Sequence, residues 1–105
     1  MILSFVESPG FVHQVESLLT SHELRSLQAA LIANPAQGVL IPGTRGLRKL
    51  RWGARGAGKR GGVRVIYYWQ SSDGVLYLLD VYDKRRRADL GVKQLLKLRA
   101  SLQTD

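Results

Sequence analysis

The chain of 105 residues contains no cysteine. That removes disulfides, thiolate nucleophiles and cysteine-ligated metals together, and it fits a reducing compartment. Acidic residues are scarce, 8 against 16 lysines and arginines. Histidine occurs twice, at His13 and His22, and no spacing of His, Asp or Glu suggests a metal site. No apolar run approaches the roughly 18 residues of a membrane span, and the first residues lack the basic segment of a secretory signal. The expected location is cytoplasmic, with no membrane partner.

What is present points to one domain over residues 1–105, because a chain of this length builds one hydrophobic core. An apolar content of 45% argues against wholesale disorder. The net charge of +8 attracts phosphate-rich partners, and its distribution sharpens that signal. Arg45, Arg48, Lys49, Arg51, Arg55, Lys59, Arg60 and Arg64 form a run without one intervening acid, and Lys84, Arg85, Arg86 and Arg87 form a second. Most of these are arginine, whose planar fork matches phosphate bidentately.

Periodicity supplies the frame. Ile2 to Glu7 reads as a short strand stopped by Ser8-Pro9-Gly10. Ser8 can cap a helix with Pro9 at its first position, and Phe11, Val15, Leu18 and Leu19 then share one face. Thr20 and Glu23 have the spacing of a capping box, and a second helix carries Leu24, Leu27 and Leu31 to Asn34-Pro35. Ala36 to Arg45 reads as a loop. Three strands follow at Leu47 to Trp52, Val63 to Gln70 and Val75 to Tyr82, the last two joined across Asp73-Gly74. Charge on both faces of the first of these places it at a sheet edge. Asp89 can cap a last helix with Val92, Leu95, Leu96 and Leu102 toward the core and Lys93, Lys97 and Arg99 in water. The order β-α-α-β-β-β-α predicts an α+β fold, an antiparallel sheet with the helices packed on one face.

Gly53 to Lys59 has the letters of a nucleotide-binding P-loop, but Arg60 stands where Ser or Thr must hold magnesium, and a strand follows where a helix is required. A glycine loop that lets backbone amides approach phosphate is the better reading. Tyr67, Tyr68, Trp69 and Tyr77 are expected in the core or on the sheet, and Trp52 at the surface. If the more polar faces of the last two strands coincide, Arg64, Tyr82 and Lys84 converge beside the glycine loop.

Gly43 to Trp52, Gly58 to Tyr68, Leu78-Leu79, Tyr82 to Lys84 and Asp89-Leu90, with Asn34-Pro35 and Gly38 before them, make the chain resemble the RelE/HigB family of bacterial toxins. The resemblance spans nearly the whole chain and implies a RelE-like, microbial-ribonuclease-type fold. It implies the toxin of a type II toxin-antitoxin pair, an endoribonuclease that cleaves messenger RNA in the ribosomal A site. The ribose 2′-hydroxyl is then the nucleophile, and neither metal nor small-molecule cofactor is needed. Its partners would be the ribosome, the messenger and a cognate antitoxin, a helix-turn-helix protein of the HigA kind. On this chain Arg64 would stabilise the phosphorane, Lys59 and Lys84 would bind phosphate or assist proton transfer, and Tyr82 would be the general acid or a stacking group. Arg45, Arg48, Lys49, Arg51, Arg55, Arg60, Arg85, Arg86 and Arg87 would hold RNA. The competing readings are a non-enzymatic toxin resembling the ParE branch that poisons DNA gyrase, and a basic RNA-binding module without cleavage. Arg64, Tyr82 and Lys84 together favour the ribonuclease.

Overall fold

Eight elements make up the computed structural model, which describes residues 1–2, 4–53, 62–85 and 87–102. In chain order they are β1 (Ser4–Glu7), α1 (Pro9–Leu18), α2 (Ser21–Ala33), β2 (Val39–Leu40), β3 (Leu47–Trp52), β4 (Val63–Gln70), β5 (Val75–Tyr82) and α3 (Val92–Ala100). The strands form one sheet in the order β1-β5-β4-β3-β2.

Local chemistry accounts for the helical hairpin. Ser8 Oγ accepts from Phe11 N at 3.1 Å and donates to Leu79 O at 2.6 Å, so the cap of α1 also ties the helix to β5. The capping box of α2 is complete, Thr20 N donating to Glu23 Oε1 at 2.8 Å and Glu23 N to Thr20 Oγ1 at 3.0 Å. Asn34 ends α2, as the following proline requires. Phe11, Val15, Leu19, Leu27 and Leu31 from this hairpin bury against Leu50, Val63, Val65, Tyr67, Leu76, Leu78 and Val81.

The α+β class and the order of the major elements are as expected from the sequence, and β3, β4 and β5 begin and end where periodicity puts them. The layering differs. A second cluster of Leu47, Ile66, Leu79, Tyr82 and Leu95, joined by Tyr68, Leu98 and Leu102, packs α3 on the opposite side of the sheet from α1 and α2. The physical reason is visible in β4 and β5, which are apolar at odd and even positions alike and therefore need cover on both faces. Nor is the sheet wholly antiparallel, since β1 runs parallel to β5. The chain leaves β1 into a helical hairpin instead of a tight turn, so no short connection forces it to reverse beside its neighbour.

Smaller corrections follow from long-range contacts. The 36–45 loop contributes β2, whose Val39 and Leu40 pair with Lys49 and Arg48, so β3 is an edge only beyond Lys49. Trp52 is half-buried against the α1/α2 core instead of lying at the surface. In α3 Leu95 is buried while Val92 and Leu96 are exposed. Arg99, expected in water, is buried, stacks over the Tyr68 ring at 4.1 Å and donates from Nε to the Arg45 carbonyl at 3.1 Å. That bond holds a backbone turn in which Arg45 itself has a φ of 59°.

One irregularity sets the register of the central hairpin. Tyr67 stands opposite Leu78, but the next residue of β4, Ile66, stands opposite Asp80. Leu79 has no residue across from it, which makes this a β-bulge. Beyond the bulge Arg64 pairs with Tyr82. A regular ladder continued from the Tyr67 pair would have set Arg64 against Val81 and turned Tyr82 to the other face.

Candidate functional site

The site is assembled on the α3 side of the sheet, at the end where β4 begins and β5 ends. Arg51 stands opposite Arg64, and Arg64 opposite Tyr82, so the three side chains lie in one row across β3, β4 and β5. Lys49, two residues from Arg51, lies on the same face. Arg64 is 6% exposed and Tyr82 3%. The ion pairs among the described residues do not include Arg64.

Tyr82 donates its hydroxyl proton to Asp89 Oδ1 at 2.7 Å. The other carboxylate oxygen, Oδ2, lies 3.6 Å from Lys49 Nζ and 3.7 Å from Lys84 Nζ. Asp89 thus collects a phenol and two ammonium groups from β3, β5 and the segment that follows β5. Burial, and then the Asp89 carboxylate, push the Tyr82 hydroxyl well above the ordinary phenol value, and the nearby Arg87 and Arg64 charges offset this only in part. The cations around Tyr82 thus do not bring its hydroxyl down toward neutral pH. The bond from Tyr82, with smaller help from Lys49 and Lys84, holds the Asp89 carboxyl below its usual range despite some desolvation. Arg87 covers the Tyr82 ring, its guanidinium carbon 4.4 Å from the centroid, while its Nη2 pairs with Asp80 Oδ2.

Arg64, Tyr82 and Lys84 thus come together, joined by Lys49, Arg51 and Arg87. Other expected site residues do not. Arg48 points to the opposite face, opposite Tyr67, and spends Nη1 on the carbonyls of Ala36 and Gly38 at 3.0 and 2.8 Å. Arg45 lies in the turn before β3, where its carbonyl accepts from Arg99 of α3. Arg85 extends into solvent and is clamped by Asp83, Nε to Oδ1 at 3.2 Å and Nη2 to Oδ2 at 3.1 Å. Arg55, Lys59, Arg60 and Arg86 lie outside the described residues. His13 and His22 are exposed on α1 and α2, away from the row.

Asp89 is the residue that sequence reasoning assigned elsewhere. Gly91 occupies the N-cap of α3, with its amide donating to Gln94 Oε1 at 3.0 Å, so the helix start does not use Asp89. A signal was present: Asp89 is the lone acid among residues 84–102, set between four cations and a basic helix. Among the described residues no group of three or more His, Asp or Glu side chains is placed to hold a metal ion.

No family model matches the sequence. Among solved structures, a mutant of the Escherichia coli toxin RelE in the free state superimposes with a TM-score of 0.63 at 14% identity, over 94% of this chain and 98% of that one. The chain has a RelE-like fold. Both chains are matched almost end to end, so the likeness includes the sheet and the helices on either side of it. On this RelE-like sheet the Arg51–Arg64–Tyr82 row occupies the three strands β3, β4 and β5, with α3 packed beside it. Among the described residues no helix is long and apolar enough to cross a membrane.

Proposed function

We propose that the protein is the toxin of a type II toxin-antitoxin system, a ribosome-dependent endoribonuclease that cleaves messenger RNA in the A site. The observation that carries this reading is the Arg64–Tyr82 pair, two buried polar side chains side by side on one face of a RelE-like sheet and ringed by Lys49, Arg51, Lys84 and Arg87. Burying polar groups costs stability, and these two sit among cations suited to an RNA backbone.

In this mechanism the 2′-hydroxyl of one nucleotide gives its proton to water as its oxygen attacks its own 3′-phosphorus. A bond to the 5′-oxygen of the next nucleotide breaks, leaving a 2′,3′-cyclic phosphate and a 5′-hydroxyl. Arg64 stabilises the negative charge that grows on the non-bridging oxygens, which a fixed, partly desolvated guanidinium does better than water. Lys49 and Lys84 hold the phosphate that Tyr82 serves, Arg51 holds a flanking one, and together they help set the in-line geometry. Tyr82 keeps its proton at neutral pH, so it acts as the donor to the departing 5′-oxygen and not as a phenolate base. The cognate antitoxin, of the HigA-like helix-turn-helix kind, restrains the activity.

The test is controlled expression followed by mapping of messenger 5′ ends. Cuts inside translated codons are expected in the wild type and are lost in Arg64→Ala, whose cleavage rate falls by about a hundredfold or more. Arg64→Lys, which retains the charge, serves as the folded control and recovers part of the rate. Growth arrest without cuts would overturn the reading and favour a gyrase poison of the ParE kind. Binding that persists with no cleavage in either protein would favour an RNA-binding module.

A further inference from the structure

We propose that Asp89 occupies, in the free protein, the seat of a substrate phosphate: Lys49, Lys84 and the Tyr82 hydroxyl form an anion subsite for one backbone phosphodiester of single-stranded RNA. The inference rests on the RNA-binding part of the function proposed above and adds to it a built-in competitor.

The geometry is that of a bound anion. One Asp89 oxygen takes the Tyr82 proton at 2.7 Å, and the other faces two ammonium groups from separate elements at 3.6 and 3.7 Å. Those last two distances exceed hydrogen-bonding range, so the lysines attract the carboxylate without directing a proton onto it. A phosphodiester carries the same single charge on two non-bridging oxygens, with bridging oxygens besides, and reaches all three donors more fully. The side chains are open to exchange: Lys49 is 37% exposed, Lys84 50% and Asp89 39%. Asp89 also lies between β5 and α3, outside both, so its side chain can leave without breaking either.

The carboxylate is not needed to start α3, and among the described residues its polar contacts are confined to the Tyr82 hydroxyl and the two lysines. Gly91 and Gln94 start α3 without it, and a surface selected only for polyanion affinity gains nothing from a negative charge among its lysines. As a competitor it does two things. It keeps Lys49 and Lys84 gathered before substrate arrives, and it lowers affinity for stray RNA, because each incoming phosphate must displace an equal charge. Only RNA presented in place, with further phosphate contacts, makes that exchange favourable.

The experiment measures binding of the full chain to a single-stranded RNA oligonucleotide with 2′-O-methyl riboses, which cannot be cleaved by 2′-hydroxyl attack. Asp89→Asn, which keeps an acceptor for Tyr82 and removes the charge, is expected to bind about threefold to tenfold more tightly. Its plot of log affinity against log salt should steepen by about 0.7 to 1.4, one or two added phosphate contacts. Lys84→Gln should cancel much of that gain in the Asp89→Asn background. A second measurement uses the wild type alone: saturating oligonucleotide should move the Asp89 13Cγ titration up toward that of an ordinary aspartate. Unchanged or weaker binding by Asp89→Asn, or an Asp89 titration indifferent to RNA, overturns the subsite even if messenger cuts are found. Absence of cuts together with tighter Asp89→Asn binding overturns the nuclease and leaves the subsite standing. Failure of both proteins to bind at any salt overturns the subsite and the RNA reading together.

Discussion

Tyr67 and Tyr82 are both buried, both on central strands and both pushed above the ordinary phenol pKa chiefly by burial, yet they differ in what they touch. Tyr67 faces α1 and α2, where its oxygen donates to the Pro35 carbonyl at 2.7 Å and accepts from Gly38 N at 2.9 Å. Arg48 beside it is bound to backbone carbonyls as well. Tyr82 faces the α3 side, where its partner is a carboxylate that two lysines share. Backbone partners cannot leave, so the first tyrosine is architecture. Side-chain partners can be exchanged, so the second is available for chemistry.

The largest effect that can break this contrast is on rate. Tyr82→Phe should lower messenger cleavage by about a hundredfold or more while changing stability by less than about 1 kcal/mol, since water can replace the phenol at the half-exposed Asp89. Cleavage at the wild-type rate in a primer-extension assay would return Tyr82 to architecture. Next comes Tyr67→Phe, which strands a buried amide and carbonyl and should cost about 1–3 kcal/mol in urea denaturation, with cleavage retained below the melting range. Gly38→Ala tests the same contact from the other side. An added Cβ would meet Tyr67 Cε1 at 2.8 Å and its hydroxyl oxygen at 2.9 Å, so a loss of about 1–3 kcal/mol is expected.

The smallest effect is on pH dependence. Asp89 has a folded pKa below its unfolded one, so its contribution is complete above the ordinary carboxylate value and fades as pH falls through the folded value. Asp89→Asn should therefore flatten the acid limb of the urea midpoint slightly, because the pair is exposed. Tyr82 has a raised folded pKa, so its contribution is complete below the ordinary phenol value near 10 and is lost as pH rises beyond it. In the alkaline limb Tyr82→Phe should lose stability less steeply than the wild type.

Local signals were legible in advance where one stretch of chain decides the outcome. The Ser8 cap, the Thr20–Glu23 capping box and the Asp73-Gly74 hairpin depend on neighbours a few residues away, and all three stand as read. Apolar alternation also bounded β4 and β5, but the same strands were apolar on both faces, and that was the unread evidence for α3 on the far side. Arg64 beside Tyr82 was legible only as a condition on strand register. Arg99 and Asp89 were misassigned because each sits in a segment that ordinarily puts such residues in water or at a helix start. Their roles depend on Tyr68 and the Arg45 carbonyl in one case, and on Tyr82, Lys49 and Lys84 in the other, contacts that no local pattern encodes.

The extra residue at Leu79 also bears on kinship. A relative whose fifth strand runs without a bulge reaches the same spatial row one position earlier in its sequence, so an ungapped alignment through this strand would match its site residue to Val81. At 14% identity little else in the strand would expose the slip. Equivalent residues in this group are then better matched by the strand opposite and the face shared than by counting along the chain, and a one-residue gap at Leu79 is where such a count would need mending.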